Sequence, residues 1–215
     1  MDLDRIYAYR FKGVDHSKRQ MVWKEIANFM HRKLGSPERV LDPAAGMCEF
    51  INNISSTERW AVDMNGPFLK ANAAPGVHQV VADTLKADLK HDYFDGIFVS
   101  NFLEHLNSQE EVAAFLTKMH GHLRKGGRIA IMGPNFKYVF REYFDFADHT
   151  VILSELGVAE HLYGAGFEVE AIYPRFLPLS FRGHLPVNRF LVRSFFRMPW
   201  AWRFFGKQFL LIGRK

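Results

Sequence analysis

Apolar side chains recur three or four positions apart between residues 17 and 34, a spacing that predicts an amphipathic helix. Further helices are predicted at 48–54, from Ser108 to about residue 123, and from Ser154 to Tyr163. Glu111 stands three positions after Ser108, which is the spacing of a capping box at a helix start.

Seven short apolar runs lie between and after these helices and predict strands at 39–42, 60–63, 77–82, 94–100, 128–133, 167–173 and 208–213. Strands that alternate with helices in this way indicate a parallel sheet with helices on both faces. Ligands of such sheets bind beyond the carboxyl ends of the strands. Residues 1–215 are expected to form one domain, in which 176–207 is too long for a simple connection and predicts a helical cap or a surface-docking insertion.

Three of the predicted strands lead into an acid. Asp42, Asp63 and Asp83 stand at the ends of the first three, and Ser100-Asn101 ends the fourth. Carboxylates at strand ends can accept hydrogen bonds from ribose hydroxyls, an adenine amino group or an ammonium group. Gly46, within the segment VLDPAAGMCEF, lets the backbone approach a ligand closely because it has no Cβ. The sequence therefore predicts a ligand site at this edge of the sheet.

The order of these motifs resembles that of the class I, Rossmann-like S-adenosylmethionine-dependent methyltransferases. Their first motif, roughly (V/I)LDxGxGxG, corresponds to residues 40–48, and AVDMN, VVADTL and NFLEHL correspond to the motifs that follow the next three strands. LRKGGRIAIMGPN and GFEVEAIY resemble the two after those. The resemblance covers about residues 17–173 and resumes at the last strand. It implies an α/β fold with a seven-stranded, mostly parallel sheet, an antiparallel last strand and a basic aromatic insertion before it.

The resemblance also implies S-adenosylmethionine as cofactor and S-adenosylhomocysteine as product. In the family, the acid after the second strand holds the ribose hydroxyls and the acid after the third meets the adenine, which correspond here to Asp63 and Asp83. The cofactor-binding residues expected on this basis are Asp42, Ala44, Gly46, Phe50, Asp63, Met64, Asp83, Thr84, Ser100 and Asn101. The N-terminal segment 1–20 is expected to form a lid over the cofactor or to pack on the sheet edge.

Ala44 and Cys48 stand where the family has glycines. Because alanine disfavours a positive φ, the sequence alone does not determine the backbone path of this loop. Retention of all three acids favours a working loop, since an unpaired buried acid is costly. Cys48 is expected to be a small packed residue and not a reactive thiol.

Methyl transfer is an in-line displacement that depends on the placement of both reactants, with a base where the acceptor is a hydroxyl. His105 follows the fourth strand, and Asp145 and His149 precede the helix that begins near Ser154. These three are the candidate catalytic residues, with Asp145 orienting His149; the alternatives are a structural role in the EHL turn for His105 and helix capping for His149. No metal is expected, because the chain has neither an HExxH motif nor paired cysteines.

Charge is distributed unevenly along the chain. Residues 171–215 hold nine Lys or Arg and no Asp or Glu, whereas the first 170 residues hold 19 basic and 23 acidic residues. The basic tail is also rich in aromatic residues. Such a surface suits phosphates, lipid headgroups or nucleic acid. The alternative is that the aromatic residues belong to the core and the arginines surround them.

The single cysteine excludes an internal disulfide framework and fits a reducing compartment. The charged N-terminus shows no signal peptide, and no apolar run approaches the length of a membrane span. We therefore expect a cytoplasmic protein, with the tail as a site of peripheral contact with the inner membrane surface.

The expected activity is O-methylation of a small acceptor. The tail pattern RFLP…LP…WRFFGKQFLLIGRK resembles methyltransferases of bacterial polysaccharide and glycolipid assembly. This resemblance implies that the acceptor is a sugar, a sugar nucleotide or a lipid-linked saccharide. The basic aromatic tail would suit an acceptor that carries a phosphate or a lipid. A nucleic-acid methyltransferase is disfavoured because SNFLEHL stands where the (D/N)PP(Y/F) motif would lie. A nicotinamide-dependent short-chain dehydrogenase is disfavoured because no Tyr is followed by Lys at the fourth position. A non-catalytic cofactor-binding or membrane-docking partner remains an alternative.

Overall fold

The computed structural model describes residues 5–6, 9, 12–13, 15–179 and 188–215. Its strands are β1 (Arg39–Asp42), β2 (Glu58–Asp63), β3 (Val77–Val81), β4 (Phe94–Ser100), β5 (Leu123–Pro134), β6 (Glu168–Tyr173) and β7 (Gln208–Arg214). They form a seven-stranded sheet in the order β3-β2-β1-β4-β5-β7-β6. β7 runs antiparallel to both of its neighbours, while the pairs from β3 to β5 are parallel. The predicted fold class is confirmed.

The helices are α1 (His16–Lys33), α2 (Glu49–Asn53), α3 (Gly66–Asn72), α4 (Gln109–His122), α5 (Phe136–Val139), α6 (Glu155–Gly164), α7 (Arg189–Arg197) and α8 (Pro199–Phe205). Short 3-10 turns lie at Leu103–His105 and Tyr143–Asp145. None of the helices in the described part of the chain has both the length and the apolar character needed to cross a lipid bilayer.

Two local details differ from the sequence predictions. Ser108 caps α4 by accepting a hydrogen bond from the Glu111 N–H at 3.2 Å, but the Glu111 carboxylate accepts from the Asn107 N–H, one residue earlier than in a capping box. β5 begins before the predicted turn at 125–127, because that turn is a bulge within the strand. Gly126 takes up the bulge with a left-handed φ of 77°.

The sheet is covered on both faces by apolar side chains. α1, α2, α7 and α8 pack on one face, and α4 and α6 on the other. β4 is buried along nearly its whole length, which accounts for its continuous apolar run, FDGIFVS. This burial fixes the carboxyl end of β4 beside that of β1.

Part of the aromatic tail belongs to the core. Phe29 of α1 contacts the rings of Phe176, Phe196 and Trp202, with centroids 5.2, 5.1 and 5.8 Å away. All four side chains are buried. The interpretation of the tail as core is therefore right for these residues.

An ion pair also joins the tail to α1. The buried carboxylate of Glu25 accepts a hydrogen bond from the Arg189 guanidinium at 3.1 Å, and Arg193 lies 3.9 Å from its other oxygen. A buried acid needs such partners to offset its lost hydration. The outward side of α7 and α8 remains exposed, including Phe190, Trp200 and Phe204.

The two tryptophans of α8 provide a matched test of this packing. Trp202 is 3% exposed and Trp200 is 63% exposed. Trp202→Ala should lower the free energy of unfolding by about 3–5 kcal/mol, because it leaves a cavity against Phe29. Trp200→Ala should change it by less than about 0.5 kcal/mol. Urea denaturation of both variants measures this, and equal losses would contradict the described packing.

Candidate functional site

The loop after β1 is tied to the end of β2 through side-chain carboxylates. Asp42 ends β1, is buried, and accepts a hydrogen bond from the backbone N–H of Ala44. The N–H of Gly46 donates to Oδ2 of Asp63 at 2.9 Å. The first two predicted acids and the loop therefore form one cluster, at the carboxyl ends of adjacent parallel strands.

The two glycine replacements in this loop have different consequences. Ala44 has no positive φ, so alanine is accommodated there without backbone strain. Cys48 has a φ of 57°, the left-handed region that favours glycine, and its side chain is buried. Burial raises the pKa of the Cys48 thiol to about 12, which agrees with a packed and unreactive residue. Gly46 also has a positive φ, and apart from its two chain neighbours no described residue has an atom within 4 Å of where its Cβ would be.

The ends of β2 and β3 carry further polar groups. Asp63 Oδ1 accepts a hydrogen bond from the Asn65 N–H at 2.9 Å, and Asp83 Oδ1 accepts one from the Leu85 N–H at 3.0 Å. Both acids are half-buried, which leaves oxygen surface for a ligand. Next to Asp83, the hydroxyl of Thr84 is buried and has no hydrogen-bond partner within the described residues.

These features fit an adenosine-bearing ligand. Two half-buried carboxylates are suitable acceptors for hydroxyl and amino donors, and the buried Thr84 hydroxyl lacks a partner that a ligand would supply. The open space at Gly46 allows the ligand to approach the backbone.

The remaining predicted cofactor residues differ in burial and in position relative to the strand ends. The Phe50 ring is buried in the core and packs on Phe98 with centroids 4.5 Å apart, and its contact with the cofactor stays a prediction. Met64 is exposed directly after Asp63. Ser100 and Asn101 end β4, where the left-handed φ of Asn101 turns the chain out of the sheet.

A second cluster lies beyond the ends of β4 and β5. Nδ1 of His105 is 2.9 Å from the backbone oxygen of Asp148 and 3.4 Å from its carboxylate. Glu104, next to His105, is 1% exposed. The His149 ring lies 5.1 Å from that of His105 and is held between Tyr143 and Phe146. We call Glu104, His105, Asp148 and His149 the acid–histidine cluster.

The structure pairs the histidines differently from the sequence prediction. Asp145 is exposed, and its side chain makes no hydrogen bond or ion pair with any residue that the structure describes. In place of an Asp145–His149 pair, the structure has Asp148 in contact with His105. The sequence signal for it was an acid directly before His149, in the same order as Glu104 before His105.

Backbone hydrogen bonds join the two loops that carry this cluster. The backbone N–H groups of Thr150 and Val151 donate to the backbone oxygen of Glu104 at 2.8 and 3.2 Å. The Thr150 hydroxyl also donates to the backbone oxygen of Leu106. The cluster is therefore held by two connected loops, which gives its side chains defined positions.

Cavities lie at both ends of the parallel strands. A cavity of about 200 Å³ lies beside the loop after β1 and is lined by His16, Gln20, Met47, Glu49, Asn52 and Asn72. The cavity brings the start of α1 next to the loop, and nine of the twenty residues of the predicted lid lie outside the described residues. The larger cavity, of about 400 Å³, lies at the amino-terminal ends of β1, β4 and β5. That is the opposite edge from the one where such sheets bind ligands.

Comparisons with known proteins agree with the fold. Residues 41–131 match a family described as a methyltransferase domain, which is less than half of the chain. The solved structure of an S-adenosylmethionine-dependent methyltransferase from Archaeoglobus fulgidus is 21% identical, with both chains fully covered and a TM-score of 0.69. A methyltransferase from Mesorhizobium loti is 16% identical over 88% of this chain and 96% of that one, with a TM-score of 0.60. No curated protein sequence matches the chain.

A further similar structure is a complex from Haloferax volcanii between the Trm112 methyltransferase activator and a methyltransferase. It is 15% identical over 98% of this chain and 94% of that one, with a TM-score of 0.70. The domain match and the fold together support a class I S-adenosylmethionine-dependent methyltransferase, with S-adenosylmethionine as its cofactor.

Asp42 gives the site a pH-dependent charge. The pKa of Asp42 is raised to about 8, mainly by burial; the hydrogen bond from the Ala44 N–H opposes this shift, and the nearby Asp63 charge adds a smaller increase. The folded chain therefore keeps this proton up to about pH 8, whereas the unfolded chain releases it near the ordinary value of 3.8. Since the folded state binds the extra proton between these values, stability decreases as pH rises through that window.

Asp42→Asn tests this charge. The variant should lose the contribution of Asp42 to the pH dependence, which is at most about 1.4 kcal/mol per pH unit for one proton. Its free energy of unfolding should match the wild type near pH 4 and exceed it near pH 7. Urea denaturation at a series of pH values measures the difference. A difference that does not change with pH would contradict a buried, protonated Asp42.

Proposed function

We propose that this methyltransferase transfers a methyl group to a hydroxyl of a sugar, a sugar nucleotide or a lipid-linked saccharide. The observation that carries the proposal is the acid–histidine cluster, which lies at the same edge of the sheet as the carboxylates of the cofactor loop. An oxygen acceptor needs help in losing its proton, which titratable groups near the acceptor can provide.

The cofactor contacts are proposed residue by residue. Asp63 accepts hydrogen bonds from the ribose hydroxyls, and Asp83 with Thr84 meets the adenine. The backbone at Ala44 and Gly46 borders the cofactor, and the Asp42 carboxylate supports the loop and faces the positive charge of the methionine moiety. The supporting facts are the half-burial of Asp63 and Asp83 and the open space at Gly46.

S-adenosylmethionine supplies an electrophilic methyl group on a sulfonium. In the transfer, the acceptor oxygen forms a bond to the methyl carbon as the carbon–sulfur bond breaks, and the electron pair of that bond goes to sulfur. The hydroxyl proton passes to a neutral imidazole nitrogen of His105 or His149. The chain holds the two reactants in line, which is the main source of rate in such a displacement. His105 and His149 bind and activate the hydroxyl, and Asp148 orients His105.

The exposed side of α7 and α8 favours a lipid-linked acceptor among the three classes. Phe190 and Phe204 are 77% and 71% exposed, and Trp200 is also exposed. Arg193 and Arg197 are exposed among them. Exposed aromatic rings between cationic side chains bind the interface of anionic membranes, where rings enter the headgroup region and arginines contact phosphates. We propose that this aromatic–basic face holds the enzyme at an anionic membrane surface.

Substitution of Asp63 tests the cofactor assignment. Asp63→Asn keeps an acceptor for the Gly46 N–H but loses the charge, and Asp63→Ala loses both. Loss of charged hydrogen bonds to the ribose should weaken S-adenosylmethionine binding by about 10- to 100-fold. The control is Asp145→Ala, an exposed acid, which should bind normally. Calorimetric titration measures the affinities, and near-wild-type binding by Asp63→Ala would overturn the ribose assignment.

Vesicle flotation tests the aromatic–basic face. The protein should float with vesicles of phosphatidylcholine and phosphatidylglycerol but not with phosphatidylcholine alone. The double variant Trp200→Ala, Phe204→Ala should bind at least several-fold less, because it loses two interfacial anchors. Tyr163→Ala, which removes an exposed ring on α6, is the control and should float as the wild type does. Equal flotation of the double variant would exclude this face.

A further inference from the structure

We infer that Glu104, His105 and His149 bind a divalent first-row transition-metal cation. As a binding site the inference stands on its own geometry, and only its role in catalysis rests on the proposed function. Each of the three side chains offers one ligand atom, and these atoms lie within 4.8 Å of one another. The ligands come from two loops, so no spacing along the chain would have revealed them, and the site departs from the sequence expectation of no metal.

The orientation of His105 prepares one nitrogen for a cation. Its Nδ1 lies 2.9 Å from the Asp148 backbone oxygen, which is only an acceptor, so Nδ1 carries the proton. Nε2 then holds the lone pair and lies 4.0 Å from the Glu104 carboxylate. A metal-binding histidine ordinarily donates its other N–H to a backbone or carboxylate oxygen in this way. Asp148 provides both kinds of oxygen beside Nδ1.

The position of Glu104 also favours a cation. Its carboxylate is nearly inaccessible to solvent, and burial of a negative charge is costly. A divalent ion at the cluster would offset this cost. The backbone oxygen of Glu104 is already bound by Thr150 and Val151, which fixes the side chain next to the loop that carries His149.

Two imidazoles and one carboxylate are a donor set for Zn²⁺, Co²⁺, Fe²⁺ or Mn²⁺, with positions left for exogenous oxygen ligands. In a tetrahedral site the ligand atoms lie about 3.4 Å apart, given metal–ligand bonds near 2.1 Å. The 4.8 Å cluster therefore closes on the ion by small side-chain rotations. The closure requires rotation of the His149 ring, which stacks on Phe146 with centroids 4.8 Å apart.

The cation gives the cluster a more specific role in the proposed reaction. A hydroxyl bound to a divalent ion loses its proton to solvent more readily, because the ion stabilises the alkoxide. The histidines then act as ligands and not as proton acceptors. Methyl transfer from the cofactor to the bound oxygen proceeds with the bond changes already given, and the ion is neither oxidised nor reduced.

Cobalt titration tests the site directly. The chelator-treated full-length protein, without cofactor or acceptor, should bind about one equivalent of Co²⁺, seen by calorimetry and by visible absorption of the bound ion. His149→Ala and Glu104→Gln should each weaken binding at least tenfold. Glu104→Gln keeps the size of the buried side chain, and thermal melting establishes that each variant is folded. The control is His120→Ala. His120 and His122 are the two histidines nearest to each other in the sequence, and this variant should bind Co²⁺ as the wild type does.

The outcomes separate this inference from the proposed function. No binding by the wild type, or unchanged binding by a folded His149→Ala, would overturn the metal site. Binding of S-adenosylmethionine, measured in a separate titration, would still support the methyltransferase in that case. Binding of Co²⁺ that is lost in the variants supports the site even if no acceptor hydroxyl is found. If Zn²⁺ competes for Co²⁺ in the wild type, both ions occupy the same ligands, as the inference requires.

Discussion

The hydrogen bond from the Gly46 N–H to the Asp63 carboxylate is the interaction on which the proposed cofactor site depends. It connects the loop after β1 to the end of β2 and sets the distance between the two strand ends. Around it, burial keeps Asp42 protonated at neutral pH, so two adjacent acids do not repel each other with full charge. A cationic cofactor bound there would favour the charged form of Asp42, which couples binding to proton release.

The loops after β4 and β5 form the second half of the site. They are joined where Thr150 and Val151 donate to Glu104, which brings residues more than forty positions apart into one cluster. This cluster and the cofactor loop lie at the same sheet edge because β1 and β4 are parallel neighbours. The tail contributes in a different way: its inner side packs on Phe29 and Glu25, and its outer side stays exposed.

Much of this arrangement was predictable from the sequence. The apolar runs predict β1 and β4 with their observed bounds. The acids at 42, 63 and 83 lie at one end of the sheet as predicted, since parallel strands place their carboxyl ends together. The burial of Phe50 against Phe98 was not evident from the sequence, because a helical spacing does not tell which side of a short helix faces the core. The Asp148–His105 contact and the metal-binding set depend on how two loops meet, which is a tertiary contact without a local signal. The accommodation of Ala44 depended on a backbone angle that residue type alone does not fix.

The central claim is that the strand-end acids form an S-adenosylmethionine site. A crystal structure of the protein with S-adenosylhomocysteine tests it most directly. The account predicts that the ribose lies against Asp63 and the adenine against Asp83, with the ligand passing over Gly46. Ligand bound at the cavity on the opposite edge of the sheet, near Arg39 and Arg124, would contradict the account.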